Sequence, residues 1–314
     1  MENASNSSSI LWLLGLVEME EQKYFYCATS IIIYITTVLL TFMVVFIIAN
    51  EESMQEPMYI LICILTLSGL FGSSSFLPKL TIDFLISSKT ISREACLIQS
   101  FCITAFAYFE ISTLTIMAYD RYLAVCHPLQ YSMLMTNDKA LKLIGGSLIF
   151  TFAAVLTTVL LSARLPLCGT QIKNIFCDNM SIFVLSCVDT SVNNIYGTTI
   201  WVIFFTVTMV IIIYCYLKIF IICLTISSHE RRKSFHTLVT HLLSFSIFLV
   251  GVLFVFIRYR LGTNQLPLTA HIVLSVNSLV FPPLINPVIY GIRTQTLKTR
   301  ILHHLQNCIL AKIV

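Results

Sequence analysis

Tyr24 to Asn50 reads YFYCATSIIIYITTVLLTFMVVFIIAN, a stretch without one charged side chain. A bilayer core needs about 20 consecutive apolar residues per helix, so this stretch is long enough to cross. Outward from it come six more of the same kind: Pro57 to Pro78, Ala95 to Tyr119, Leu143 to Ala163, Thr190 to Leu217, Ser234 to Ile257 and Leu261 to Ile292. A single charged residue, Glu110, interrupts the set. Across 314 residues 57% are hydrophobic and 11% charged, whereas roughly a quarter of a soluble domain is charged. The charges therefore gather in the connecting segments, as water-facing loops require. The runs are continuously apolar rather than alternating, which favours helices over a barrel, because lipid admits only backbones that bond internally. The expected fold is an all-α membrane protein, a seven-transmembrane-helix bundle over 24–292, with an N-terminal tail at 1–23 and a short tail at 293–314.

An odd number of spans puts the termini on opposite sides, and the expected arrangement has the N-terminus extracellular and the C-terminus cytoplasmic. Ile10 to Val17 is apolar but short, and Glu2, Glu18, Glu20 and Glu21 flank it where a signal peptide would be basic. The first span then does the targeting. Arg231, Arg232, Lys233, Lys298 and Arg300 contribute to a small Lys/Arg excess on the cytoplasmic side. Asn3, Asn6 and Asn179 each begin Asn-x-Ser, and all three fall outside as candidate glycosylation sites. Of 11 cysteines, Cys96, Cys168, Cys177 and Cys187 lie at the outer face. Four cysteines allow three pairings, and spacing does not choose among them.

The sequence has no nucleotide loop, catalytic triad or metal cluster, so no enzyme activity, metal or cofactor is expected. Its histidines are scattered, without the cysteines or paired carboxylates of a metal site. A proton-driven transporter or intramembrane enzyme needs several embedded ionisable groups, and only Glu110 and His241 qualify. A carboxylate near mid-membrane costs on the order of 3 kcal/mol, so Glu110 should face the bundle, paired or protonated.

Local motifs settle the class. The third span ends Met117-Ala118-Tyr119-Asp120-Arg121-Tyr122-Leu123-Ala124-Val125-Cys126-His127-Pro128-Leu129. The seventh ends Pro282-Pro283-Leu284-Ile285-Asn286-Pro287-Val288-Ile289-Tyr290, followed by Arg293. Pro57-Met58-Tyr59 opens the second span, and Lys233-Ser234-Phe235 and Thr240-His241-Leu242 open the sixth. Together these closely resemble the odorant receptors, a branch of the rhodopsin-like (class A) G-protein-coupled receptors.

The resemblance implies a small-molecule odorant, a heterotrimeric G protein of the stimulatory olfactory type that raises cAMP, and residence in the plasma membrane of sensory neuron cilia. No nucleic acid partner is implied. The alternative within the superfamily is a receptor for an endogenous small ligand. By resemblance Arg121, beside Asp120 and Tyr122, meets the G protein, and Tyr216 and Tyr290 move toward it on activation. Lys233 and Asn286 join this coupling set, and Pro287, which lacks a backbone donor, provides a hinge. The superfamily's sodium site would put Asp and Asn where this chain has Gly69 and Thr41. The resemblance pairs Cys96 with Cys177 and Cys168 with Cys187. It also places a ligand site among Ile103, Thr104, Ala107, Tyr108, Ile200, Phe204, Val252 and Phe256. Arg260 lies roughly 28 Å along the sixth helix from His241, at its outer end. It either snorkels into headgroups, as Arg258 would, or faces the pocket mouth, where a guanidinium fork suits a carboxylate-bearing ligand.

Overall fold

The computed structural model describes residues 10–225, 239, 242–253, 268–293 and 297–301, apart from the side chains of 268–271, 273–275, 278, 292 and 293. The N-terminal segment is a strand, β1 (Ile10–Leu13), and a short helix, α1 (Leu14–Glu18). The first span is α2 (Lys23–Asn50) and the second is α3 (Pro57–Ser74) continued by α4 (Leu77–Ile86). Strand β2 (Thr90–Ser92) leads into the third span, α5 (Arg93–Cys126). A short α6 (Tyr131–Leu134) precedes the fourth span, α7 (Asn137–Ala163). Then come β3 (Gln171–Ile172), α8 (Asn179–Val184) and the fifth span, α9 (Ser191–Thr225). The described part of the sixth span is α10 (Leu242–Leu253), followed by α11 (Leu268–Arg293) and a helical segment, α12, at 297–301.

Five of these spans are long and apolar enough to cross a membrane within the described residues. In α5, 61% of the most apolar window is buried, against 28% in α2, α7 and α9. The third span is therefore the central post, and the others present Phe42, Ile32 and Val210 outward, as lipid-facing surfaces should. Helix starts follow local chemistry. Pro57 opens α3, where its missing N–H is no loss. Ser92 and Thr136 cap α5 and α7, their hydroxyls accepting from the backbone N–H of Ala95 and Lys139, each at 3.2 Å.

The second span departs from an unbroken helix. It stops at Ser74 and restarts at Leu77, because Pro78 supplies no donor to the preceding turn and fits only the first turn of a new helix. At Gly72, in α3, an added Cβ would come within 2.6 Å of the Phe106 ring, so the glycine lets α3 lie close against α5.

The N-terminal segment is also more ordered than a tail. From Ile10 onward it forms a three-stranded sheet of order β2-β1-β3, with β1 antiparallel to β2 and parallel to β3. Leu11, Leu13 and Leu16 are buried beneath it, which accounts for the apolar Ile10 to Val17 stretch. Two disulfides hold the same face: Cys96 to Cys177, and Cys168 to Cys187. Arg93 adds a third tie, its Nη2 donating to the carbonyls of Ala163 at 2.8 Å and Leu165 at 2.7 Å. At the opposite end Asn137 Nδ2 donates to the Gln55 carbonyl, and Arg300 pairs with Glu51 at 3.3 Å. Residue 300 and the N-terminal sheet thus sit at opposite ends of the bundle. The disulfides assign the sheet end to the oxidising, outer side.

Removing the Cys96–Cys177 bridge should loosen the loop that it ties to the central helix. Loss of a native disulfide commonly removes about 2 to 5 kcal/mol in small secreted domains. Cys177→Ser should therefore cut surface delivery several-fold, measured by labelling of intact cells. Peptide mapping of the unreduced wild type should recover Cys96 joined to Cys177, and recovery of Cys96 joined to Cys168 or Cys187 would refute the pairing.

Candidate functional site

Beneath the disulfide-tied loop the bundle forms a partly open cavity of about 220 Å³. Helix α5 contributes Ile103, Thr104, Phe106, Ala107 and Tyr108, and α10 contributes Phe248 and Val252. The roof is the loop itself, through Phe176, Asp178, Asn179, Met180 and Phe183. Helix α9 supplies Asn193, Asn194, Gly197, Thr198 and Trp201, which recur at three and four residues and so form one helical stripe. Thr158 of α7 and Leu279 of α11 complete the wall.

Five of the residues expected at a ligand site meet here: Ile103, Thr104, Ala107, Tyr108 and Val252. Phe204 and Ile200 do not reach the cavity. Phe204 lies further along α9, where its ring packs between Tyr108 at 4.8 Å and Phe150 at 5.7 Å, and Ile200 stands half-buried off the lining stripe. Phe256 and Arg260 lie outside the described residues, as do Lys233, His241, Asn3 and Asn6.

Asn179, a candidate glycosylation site by its sequon, is half-buried in the tied loop. It lies on the cavity wall, and its Oδ1 accepts from Ser162 Oγ at 3.3 Å. Asp178 caps α8, its carboxylate accepting from the Ser181 N–H at 2.7 Å. The roof residues could have been found from the sequence. A bridge from Cys177 to the top of the third helix draws Phe176 and Asp178 over the pocket mouth.

Midway down the bundle Glu110 is fully buried. Its Oε1 accepts from Asn286 Nδ2 at 2.8 Å, and Asn286 Oδ1 accepts from Ser244 Oγ at 2.6 Å. This chain of hydrogen bonds links α5, α11 and α10, with Pro287 next to Asn286 inside the helix. Gly69 faces the same helix. A Cβ added there would meet the Pro283 backbone at 3.0 Å, so an Asp in its place would push α11 away. The usual sodium-ligand pair does not fit this chain.

At the inner end Asp120 is buried, and its Oδ2 accepts from Arg121 at 3.0 Å through Nε and 2.6 Å through Nη2. Its other oxygen accepts from the Tyr131 hydroxyl at 2.8 Å. Burial first, and then the Asp120 charge, push the Tyr131 phenol above its ordinary range, which keeps it a donor. Tyr290 is fully buried nearby in α11, and Tyr216 is half-buried on α9. Tyr122 points elsewhere. Its hydroxyl shares a 3.1 Å hydrogen bond with His127 Nε2, and its ring lies 5.8 Å from that of Tyr214.

An outer apolar cavity, a buried polar clasp and an arginine held at the inner mouth fit a receptor that reads a ligand on one side and a protein on the other. Comparison with known proteins agrees. A family profile described as olfactory receptor matches residues 30–308. Human olfactory receptor 51G2 is 30% identical over 304 residues, covering 96% of each chain. Human olfactory receptor 51E1 is 31% identical, covering 96% of this chain and 95% of its own. Olfactory receptor 51E2 of Rattus norvegicus is 32% identical over 312 residues, covering 96% of this chain and 95% of its own. With the bundle, the tied loop and the helix-three motif in agreement, the chain belongs to the olfactory receptor family of odorant-sensing G-protein-coupled receptors.

Proposed function

We propose that the cavity under the tied loop is the odorant site, and that its occupation releases Arg121 at the inner end to meet a stimulatory, olfactory-type G protein and raise cAMP. The observation that supports this most is the cavity itself, with α5, α9 and α10 on its wall and the roof held by Cys177. A cavity of about 150 Å³ holds benzene, so about 220 Å³ suits a small volatile molecule. The wall is mostly apolar side chains with a few amides and hydroxyls, which suits an amphiphilic odorant. Cilia of sensory neurons are the proposed location within the plasma membrane. A carboxylate-bearing odorant would need Arg260, which lies outside the described residues, so the proposal does not depend on it.

Gly197 provides a direct test of the pocket. An added Cβ would meet nothing within 4 Å, and the residue is on the cavity wall, so a larger residue there has room at its base and takes up cavity space. Leucine also favours helix over glycine by roughly 0.8 kcal/mol. Gly197→Leu should keep normal surface levels while weakening the response to an activating odorant at least tenfold in a cAMP assay. An unchanged response would move the ligand site elsewhere.

For coupling, Arg121→Ala should abolish cAMP output at matched surface level while leaving odorant binding near normal. Preserved output would remove Arg121 from the coupling role. Neutralising Arg231, Arg232 and Lys233 together should weaken coupling only partly, because charge complementarity steers such contacts more than it holds them.

A further inference from the structure

The roof of the cavity has fastenings of two kinds. Disulfides fix the loop at Cys168 and at Cys177, and residues 169–176 run between those points. Gln99 of α5 strengthens the second point, its Oε1 accepting from the Cys177 N–H at 2.9 Å while its Nε2 donates to the Ser75 carbonyl at 3.1 Å. The other fastening is the N-terminal segment, which lies along the run itself. Trp12 donates to the Thr170 carbonyl at 2.7 Å, Trp12 and Leu13 pair with Gln171 and Ile172, and Gly15 donates to the Asn174 carbonyl at 3.2 Å. Gly15 forms a notch there. An added Cβ would stand 2.5 Å from Ile175 Cγ2 and 2.9 Å from the Asn174 carbonyl carbon. Asn174, Ile175 and Phe176 are buried, and Phe176 is the roof residue, its ring edge-on to that of Phe76 at 5.4 Å. Along its other edge the segment is held by β2, with the Leu13 N–H donating to the Lys89 carbonyl at 2.8 Å.

We infer that the N-terminal segment is a working part of the ligand site: β1 and Gly15, as positioning residues, hold Phe176 in the roof and set how fast a molecule passes between the outer solution and the cavity. The disulfides are covalent and stay closed on the oxidising side, so they cannot be what yields when the roof moves. The strap can yield. It is a short strand and a few hydrogen bonds, and small units of this kind open locally at far lower cost than the whole fold. A molecule under a roof leaves at the rate at which the roof opens. No residue of β1 or α1 is on the cavity wall, so the segment acts through residues 170–176 and not by touching the ligand. The inference shares with the proposed function the reading of this cavity as the odorant site.

The test reads access directly and needs no odorant. Ala107 is on the cavity wall, so Ala107→Cys places a thiol beneath the roof. Intact cells carrying the full chain are treated with trimethylammonium-ethyl methanethiosulfonate, a permanent cation that does not cross the bilayer. The thiolate attacks the reagent's sulfenyl sulfur, a mixed disulfide forms and methanesulfinate leaves. The fraction of surface receptor labelled at residue 107, followed by peptide mass over time, gives a rate that does not depend on how much receptor is delivered. Adding Gly15→Ala should raise that rate by roughly threefold or more, the scale of one lost hydrogen bond. Trp12→Pro, which removes the N–H that bonds Thr170, should do the same. Ile10→Ser, at an exposed position of the same strand, should leave the rate unchanged. Trp12 and Gln171 are exposed and paired in register, so Trp12→Cys with Gln171→Cys should crosslink the strap and lower the rate. That crosslink decides the matter if the loosening variants fail to reach the surface. Equal rates across the set, or no labelling of residue 107 in any variant, would overturn the inference. An odorant response unchanged by Gly197→Leu would move the odorant site elsewhere while leaving these rates as they stand, so the two failures are distinguishable.

Discussion

Hydrocarbon offers a polar group nothing to bond, and one residue in this chain meets that constraint most severely. Glu110 is the acid embedded in the apolar stretches, so its neighbours must supply what lipid cannot. Asn286 does so directly, and Ser244 holds Asn286 in place. The result fastens the third, sixth and seventh spans through side chains, where apolar contact alone would let them slide. Around this clasp the packing is correspondingly tight. Gly69 accepts the Pro283 backbone and Gly72 accepts the Phe106 ring, so the neighbouring helices approach at distances no larger residue would permit.

The clasp also lies between the cavity and the Asp120–Arg121 pair. Tyr108 is on the cavity wall two residues before Glu110, and Asp120 is about 15 Å further along the same helix. Helix α10 carries Phe248 and Val252 on the wall and Ser244 in the clasp. Under the proposed function, a ligand that shifts α10 would act on the Ser244–Asn286–Glu110 chain, and α11 would carry that shift toward Tyr290. Prolines at 282, 283 and 287 remove backbone donors from α11, so this helix bends more readily than its neighbours.

Much of this was legible in the sequence because the governing rules are one-dimensional. Charge-free stretches longer than a bilayer mark spans, and the Tyr24 to Asn50 run became α2 with a shift of one residue at its start. Glu110 had to face inward wherever its partner came from. The pairing of four outer cysteines was not readable from spacing, since it depends on how the loop folds back, and family resemblance supplied it. The place of Asn179 on the cavity wall was unreadable for a similar reason: the sequon is local, whereas the hydrogen bond from Ser162 comes from α7. Phe204 shows the limit of placing pocket residues by helix alone. A helical wheel fixes the face of a side chain, whereas the depth at which the cavity ends depends on the ring of Tyr108.

The small outer sheet imposes an order on how the protein is made. Strand β1 is synthesised first, yet its partners are β2, after the second span, and β3, after the fourth. Its parallel pairing with β3 is complete only when more than half of the chain has left the ribosome and four spans have entered the bilayer. Until then β1 has only its β2 edge to pair with, and the β3 side of Leu13 is uncovered. Closure of this sheet is therefore possible only once the first half of the bundle is in place.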